Sequence, residues 1–424
     1  MSGTVNIDLG LNSVHPSGGL LDIGILGTSI NTIFFTIILF IVSILIIFRL
    51  SKFKIIELKR SLLIFSFHSI FSVIFISALM TLIVNDLDTY FQIGIIYPDD
   101  GYYKNFNIRT WGILTISQFY RIFYYFFKLD FLTVNILFGC MGSFVLIFYD
   151  KLLLQNLNFN KTKNNLIYYI FYLIVFFPSL SVWTGYLGKE IFTFIILILI
   201  SLIIIKEKNL LLVTLFLLPL VGLLGLIRPH FAFMIIFTFI IYIFLKIFKK
   251  NKSSYLIITV CLFLSLIFGQ FLFVSGNIEF NIIKLIDKFF TAGAQQRIYF
   301  IPTSEWGSFQ NSNPFYLWIS FLFSPIINLE NPRNIFLSLE NLILIITLII
   351  LMFNIDFKKF KENDEAKFFI IFFLISSFVM SIFTYQIGIY WRQKWILLPY
   401  LFLGLSMIQN KNYLHAQKRK NISA

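Results

Sequence analysis

The sequence predicts an all-α protein, a polytopic bundle of about eleven transmembrane helices with two longer external loops that contain short surface helices. Three observations predict it. Hydrophobic residues make up 58% of the chain and charged residues only 13%, against about 25% charged in a soluble domain. Runs such as Ile30–Phe48, Ile191–Ile205 and Leu342–Phe353 carry no charge; a bilayer solvates such surface, whereas in water it would aggregate. The basic residues fall in short clusters between the apolar runs, as they do in cytoplasmic loops.

Other classes are excluded on the same grounds. The net charge of +14 invites nucleic acid, but a binding face would gather Lys and Arg on one folded surface. No nucleic-acid partner is expected. Cys140 and Cys261 each lie inside an apolar run and read as small hydrophobes rather than as a disulfide or metal pair. The first Lys or Arg is Arg49, so the start lacks the positive region of a signal peptide. Residues 1–28 are polar and Gly-rich, with Asp8 and Asp22, and are expected to stay outside.

In chain order the expected spans are 29–48, 62–84, 131–149, 166–182, 190–205, 209–227, 231–248, 255–274, 335–354, 368–387 and 395–409. Phe315–Ile327 is apolar but short and contains Pro325, which suits a re-entrant or interfacial piece. With these spans alternating, the clusters Arg49–Arg60, Lys151–Lys163, Lys206–Lys208, Lys246–Lys252, Lys358–Lys367 and Lys411–Lys420 all fall on one side. They hold 22 of the 34 basic residues, so that side is expected to be the cytoplasm. The N-terminus is then external and the C-terminus cytoplasmic. The whole chain, 1–424, reads as one integral membrane domain. Its two long loops, 85–130 and 275–334, fall outside. Within the first, Ile113–Phe127 is long enough for a surface helix with Ser117, Gln118 and Arg121 on one polar face.

Ionisable groups in or beside a membrane are costly unless paired or functional, so the external charges are the candidate site. Asp86 and Asp88 stand two apart where the second span ends, followed by Asp99 and Asp100. Paired carboxylates can serve as a base or hold a cation; an external loop short of Lys and Arg also accumulates acids without function. A nucleotide-sugar site is disfavoured, because nucleotide sugars are cytoplasmic. In Pro178–Glu190 (PSLSVWTGYLGKE) Pro178 and two glycines permit a tight turn. There Trp183 offers an aromatic floor beside Lys189, suited to a sugar pyrophosphate; an interfacial turn with a belt aromatic is the plain alternative. Arg228-Pro229-His230 puts a cation with bidentate donors and a titratable imidazole at a short junction. Arg392 and Lys394, in Tyr390–Trp395, form another junction. Positive groups around 189, 228 and 392 oppose the positive-inside bias, and brought together they would make an anion pocket suited to phosphate. Arg297, Glu305, Glu330, Arg333, Glu340 and Asn341 in or beside the second loop could line a glycan groove, though each alone fits a structural role.

The patterns PSLSVWTGYLGKE, LIRPH, LFSPIINLENPRNIFLSLEN and YWRQKWILLP resemble those of bacterial O-antigen or capsule repeat-unit polymerases of the Wzy type, relatives in architecture of GT-C membrane glycosyltransferases. The resemblance covers about residues 80–400. It implies a glycosyltransferase of surface-polysaccharide (capsule or lipopolysaccharide) biosynthesis that moves a glycan from undecaprenyl pyrophosphate onto a lipid-linked acceptor. Arg228, Arg392 and, less closely, Arg297 match arginines that hold the pyrophosphate; Asp86, Asp88 and His230 are the candidates for the base. The partners are the polyprenyl-linked oligosaccharide and membrane lipids, with a chain-length regulator and a flippase of the same pathway. No cofactor is expected; a divalent metal between Asp86 and Asp88 is the disfavoured alternative. A GT-C enzyme using a polyprenyl-phosphate sugar is the runner-up, with its base early in the first external loop, although one extra span precedes that loop here. A flippase or transporter would show paired halves or matching broken helices, and the sequence shows neither.

Overall fold

The fold was analysed from a computed structural model that describes residues 30–82, 111–157, 166–250, 314–324, 332–383 and 387–409. Among these residues the structure is helical, with an isolated bridge between Ile355 and Gln409 in place of any strand. In lipid a helix satisfies its own backbone, which is why apolar runs rich in β-branched residues fold this way here. Among the described residues six stretches are long and apolar enough to cross a membrane: Ile33–Lys52, Phe131–Leu157, Leu166–Thr184, Leu210–Ile227, Pro229–Lys246 and Ile335–Phe353. The chain is a multi-pass membrane protein. Asp86, Asp88, Asp99, Asp100, Arg297, Cys261 and the expected span 255–274 lie outside the described residues.

The chain divides into two compact units. One comprises Met1–Ile147 with Ser181–Phe192; the other comprises Phe148–Leu180 with Thr193–Ala424. In unit one, α1 (Ile30–Lys52) packs on α2 (Leu58–Leu82), and α3 (Trp111–Phe127) and the first part of α4 (Phe131–Leu157) follow. Only 11% of the apolar window of α1 is buried, leaving Ile33, Phe34, Ile41 and Leu45 exposed to lipid. Helix α1 ends in a Schellman motif: Lys54 N–H donates to Ser51 O at 2.8 Å and Ile55 N–H to Leu50 O at 3.0 Å. Lys54 holds the left-handed position at φ 56°, where glycine is relaxed. Lys54→Gly is expected to raise stability by about 1 kcal/mol, measured as an upward shift of the unfolding midpoint in detergent.

Helix α3 forms where expected, with a different face inward. Ser117 is buried beside Ile116 and Tyr120, while Ile122, Tyr125 and Phe126 are exposed. Of the expected polar face Ser117 turns inward, while Gln118 and Arg121 are half-buried. Helix α4 passes close to its neighbours through Gly139 and Gly142. A Cβ on Gly139 would lie 2.8 Å from Ser72 Oγ, and one on Gly142 would overlap the Thr184 carbonyl. Small residues at such crossings let backbones meet in membranes. Ser69 and Ser143 hydroxyls face each other at 3.5 Å in the same seam.

Unit two holds α5 (Leu166–Ile174), the start of α6 (Pro178–Thr184), most of α7 (Lys189–Lys206), α8 (Leu210–Ile227), α9 (Pro229–Lys250), α10 (Pro314–Phe323), α11 (Pro332–Phe353), α12 (Phe357–Glu362), α13 (Asp364–Phe383) and α14 (Ile387–Ile408). The hairpin α13–α14 is its centre; α9 and α10 pack on α13, α8 on α9, and α5 on α11. Phe368, Phe369, Phe372 and Trp395 fill the core. Helix starts are capped by side chains: Asn209 accepts from Leu211 N–H, Asp356 from Lys358 and Lys359, and Asn363 from Ala366.

Two expected boundaries move. The span 166–182 is interrupted, because Pro178 disfavours helical backbone at Phe177 and the chain restarts at α6. The residues 390–395, expected at a junction, lie inside α14, which begins at Ile387. Expected basic loops do gather at one end of unit two: Lys208 and Lys246 pair with Glu365 at 3.4 and 3.7 Å, and Asp356 N–H donates to Ile408 O.

Candidate functional site

The residues singled out by sequence fall into both units. In unit two, α8 starts beside the basic loops and ends about 27 Å away at Ile227. Arg228 caps it, donating its backbone N–H to Leu224 O at 2.7 Å. Pro229 lacks an N–H and opens α9 at once, while Arg228 O accepts from Phe231 N–H at 3.0 Å. The Arg228 guanidinium lies 5.8 Å from the Phe231 ring centroid and the residue is only 4% exposed. It does not snorkel to the surface; the junction folds it inward. His230 is exposed, with its ring 5.0 Å from that of Phe231.

Arg392 is half-buried on α14, about 24 Å from the end of that helix at the basic loops. Lys394 is 1% exposed. Its ammonium donates to Asn341 Oδ1 and to Leu322 O at 3.2 Å. The latter belongs to the last turn of α10, whose carbonyls have no helical partner. Beside it the Glu340 carboxylate accepts from Ser179 N–H at 2.9 Å and from the Ser179 hydroxyl, capping the first turn of α6. Two buried opposite charges thus each satisfy an orphaned helix end, and they attract one another. Gln393 is buried on α14 next to them, and Phe177 meets Trp395 at 4.8 Å.

In unit one, Trp183 and Lys189 are half-buried, and the Trp183 ring lies 6.2 Å from Tyr186. Lys189 and Glu190 open α7 as expected. The segment preceding them is held by hydrogen bonds: Ser181 Oγ to His68 Nε2 at 3.2 Å, Ser72 Oγ donating to Gly185 O, and Leu187 N–H donating to Asn135 Oδ1 at 3.1 Å. Gly185 serves close approach rather than a left-handed turn, since a Cβ there would meet Ser72 and Ser181. Tyr120 OH also donates to Asn135 Oδ1, at 2.9 Å. Burial holds the Tyr120 phenol far above its ordinary range despite that bond, so it remains a donor.

His68, Asn135 and Ser179 were not singled out by sequence. The available signal for His68 and Asn135 was a strongly polar residue inside an expected span. Among the described residues no three His, Cys, Asp or Glu side chains gather as a metal site. Comparison with known proteins adds no relative: no family model, curated protein or solved structure matches this chain.

Proposed function

We propose that this chain is a bacterial inner-membrane glycan polymerase of about eleven spans, external at its N-terminus and cytoplasmic at its C-terminus. It moves an oligosaccharide from undecaprenyl pyrophosphate onto a lipid-linked acceptor in O-antigen or capsule assembly. The observation that carries the reading is Arg228: a guanidinium folded into a helix break, at the end of unit two remote from the basic loops. An arginine kept there against the positive-inside bias is the arrangement expected of a group that meets an anion.

The chemistry asks little more of the protein. The acceptor hydroxyl oxygen attacks the anomeric carbon as its bond to the pyrophosphate breaks, and the bonding pair leaves with the pyrophosphate. Arg228 and Arg392, with Arg297, hold the developing charge; Asp86, Asp88 or exposed His230 takes the hydroxyl proton. Trp183 and Lys189 contact the sugar pyrophosphate. A chain-length regulator and a flippase act with it.

Deleting the gene in the native host and resolving its surface polysaccharide on a gel tests this. The null strain is expected to keep lipid carrying a single repeat unit. Complementation with Arg228→Ala, Arg392→Ala or Asp86→Ala is expected to lower polymer by about 10²–10³-fold at equal protein level. Loss of even the single-repeat form would overturn the polymerase in favour of an earlier transferase or a flippase. Loss of one sugar from an intact polymer would indicate the polyprenyl-phosphate GT-C enzyme.

A further inference from the structure

At the end of unit two opposite Arg228, the helices leave a cavity of about 300 Å³. Its apolar wall is Ile205 and Met407. These are the penultimate residues of α7 and α14, as Asn156, also on the lining, is of α4. The cavity therefore sits where the helices leave the apolar layer, at the depth of lipid headgroups.

Four helices end around it (α4, α7, α12, α14) and three begin (α8, α12, α13), so the partial charges of their termini largely offset. Side chains decide the sign. Lys208 and Lys359 face one carboxylate, Glu365. That carboxylate is already paired with Lys208 at 3.4 Å and with Lys246, which adds a third cation, at 3.7 Å. Lys359 reaches Gln409 O at 2.5 Å and Asp356 at 3.7 Å. The remaining lining groups are amides. Asn363 uses its carbonyl on Ala366 N–H, so its amide hydrogens are what it offers. Asn156 spends one amide hydrogen on Leu152 O. The side chains of Lys208 and Lys246 can turn from Glu365 to a stronger acceptor; Lys208 is 75% exposed and little restrained.

We propose that this cavity binds a phosphate ester, with Lys208 and Lys359 on the phosphate oxygens, amide N–H groups of Asn363 and Gln155 beside them, and Ile205 and Met407 against the apolar part of the ligand. This site is separate from the proposed transfer site and does not depend on the polymerase reading. Two sources carry that chemistry: the headgroup of an anionic phospholipid and a soluble phosphate ester.

The full chain in phosphatidylcholine nanodiscs tests it, with phosphatidylglycerol introduced into the discs or inorganic phosphate added to the buffer. Retained lipid is read by native mass spectrometry and the unfolding midpoint by intrinsic fluorescence. Phosphatidylglycerol is expected to be retained and to raise the midpoint. Lys208→Gln and Lys359→Gln are each expected to weaken this by about fivefold, and Lys358→Gln, an exposed neighbour, to leave it unchanged. Glu365→Gln removes the competing carboxylate and is expected to strengthen binding, a direction that misfolding cannot mimic. Stabilisation by inorganic phosphate with the same lysine dependence assigns the soluble ester instead. Equal retention by Lys208→Gln, Lys359→Gln and Lys358→Gln, or no response to either probe, overturns the proposal.

Discussion

Lys394→Met is expected to destabilise the protein by about 3–5 kcal/mol, because it removes a buried cation that attracts the buried Glu340 carboxylate. It also strips Leu322 O and Asn341 of their donor. Glu340→Gln alone is expected to cost less, since an amide still accepts from Ser179 N–H while the lysine keeps two oxygen partners. The double variant Lys394→Met with Glu340→Gln is expected to recover much of the loss, and that non-additivity is the decisive number. Unfolding midpoints in detergent for the four proteins give the cycle. A Lys394→Met protein of unchanged stability that no longer supports polymer would assign Lys394 the substrate-binding role its sequence context suggested.

Gly142→Ala carries the second large effect, about 1–3 kcal/mol of destabilisation. The new methyl would occupy the position of the Thr184 backbone carbonyl, and backbone cannot rotate aside as a long side chain can. Gly222→Ala is the matched control: a Cβ there meets nothing within 4 Å, and alanine in a helix interior is favoured over glycine by about 1 kcal/mol. The two substitutions add the same atom to a helix of the same protein and are expected to move the midpoint in opposite directions. Equal shifts would mean that α4 does not make this crossing.

The contrast between these residues shows what hydropathy can carry. Helices α7, α8 and α9 follow the expected spans within a few residues, because a bilayer selects apolar length and each run is bounded by Lys, Asn, Arg or Pro. The break at Phe177 hides inside an unbroken apolar stretch, and only the backbone demand of Pro178 marks it. Ser117 is buried beside Ile116 and Tyr120, a tertiary packing choice that the amphipathic pattern of α3 alone does not reveal. Arg228 and Arg392 were legible as charges set between long apolar runs. The fate of Lys394 was not, because its partner Asn341 lies 53 residues away in sequence and meets it only in the folded protein.

That separation also has a consequence for biosynthesis. Glu340 leaves the ribosome before Lys394 does, by about 3–10 s at ordinary elongation rates of about 5–20 residues/s. During that interval the Glu340 carboxylate has its Ser179 donors but not yet Lys394. An α11 that enters the bilayer in that interval does so before Lys394 exists to meet Glu340.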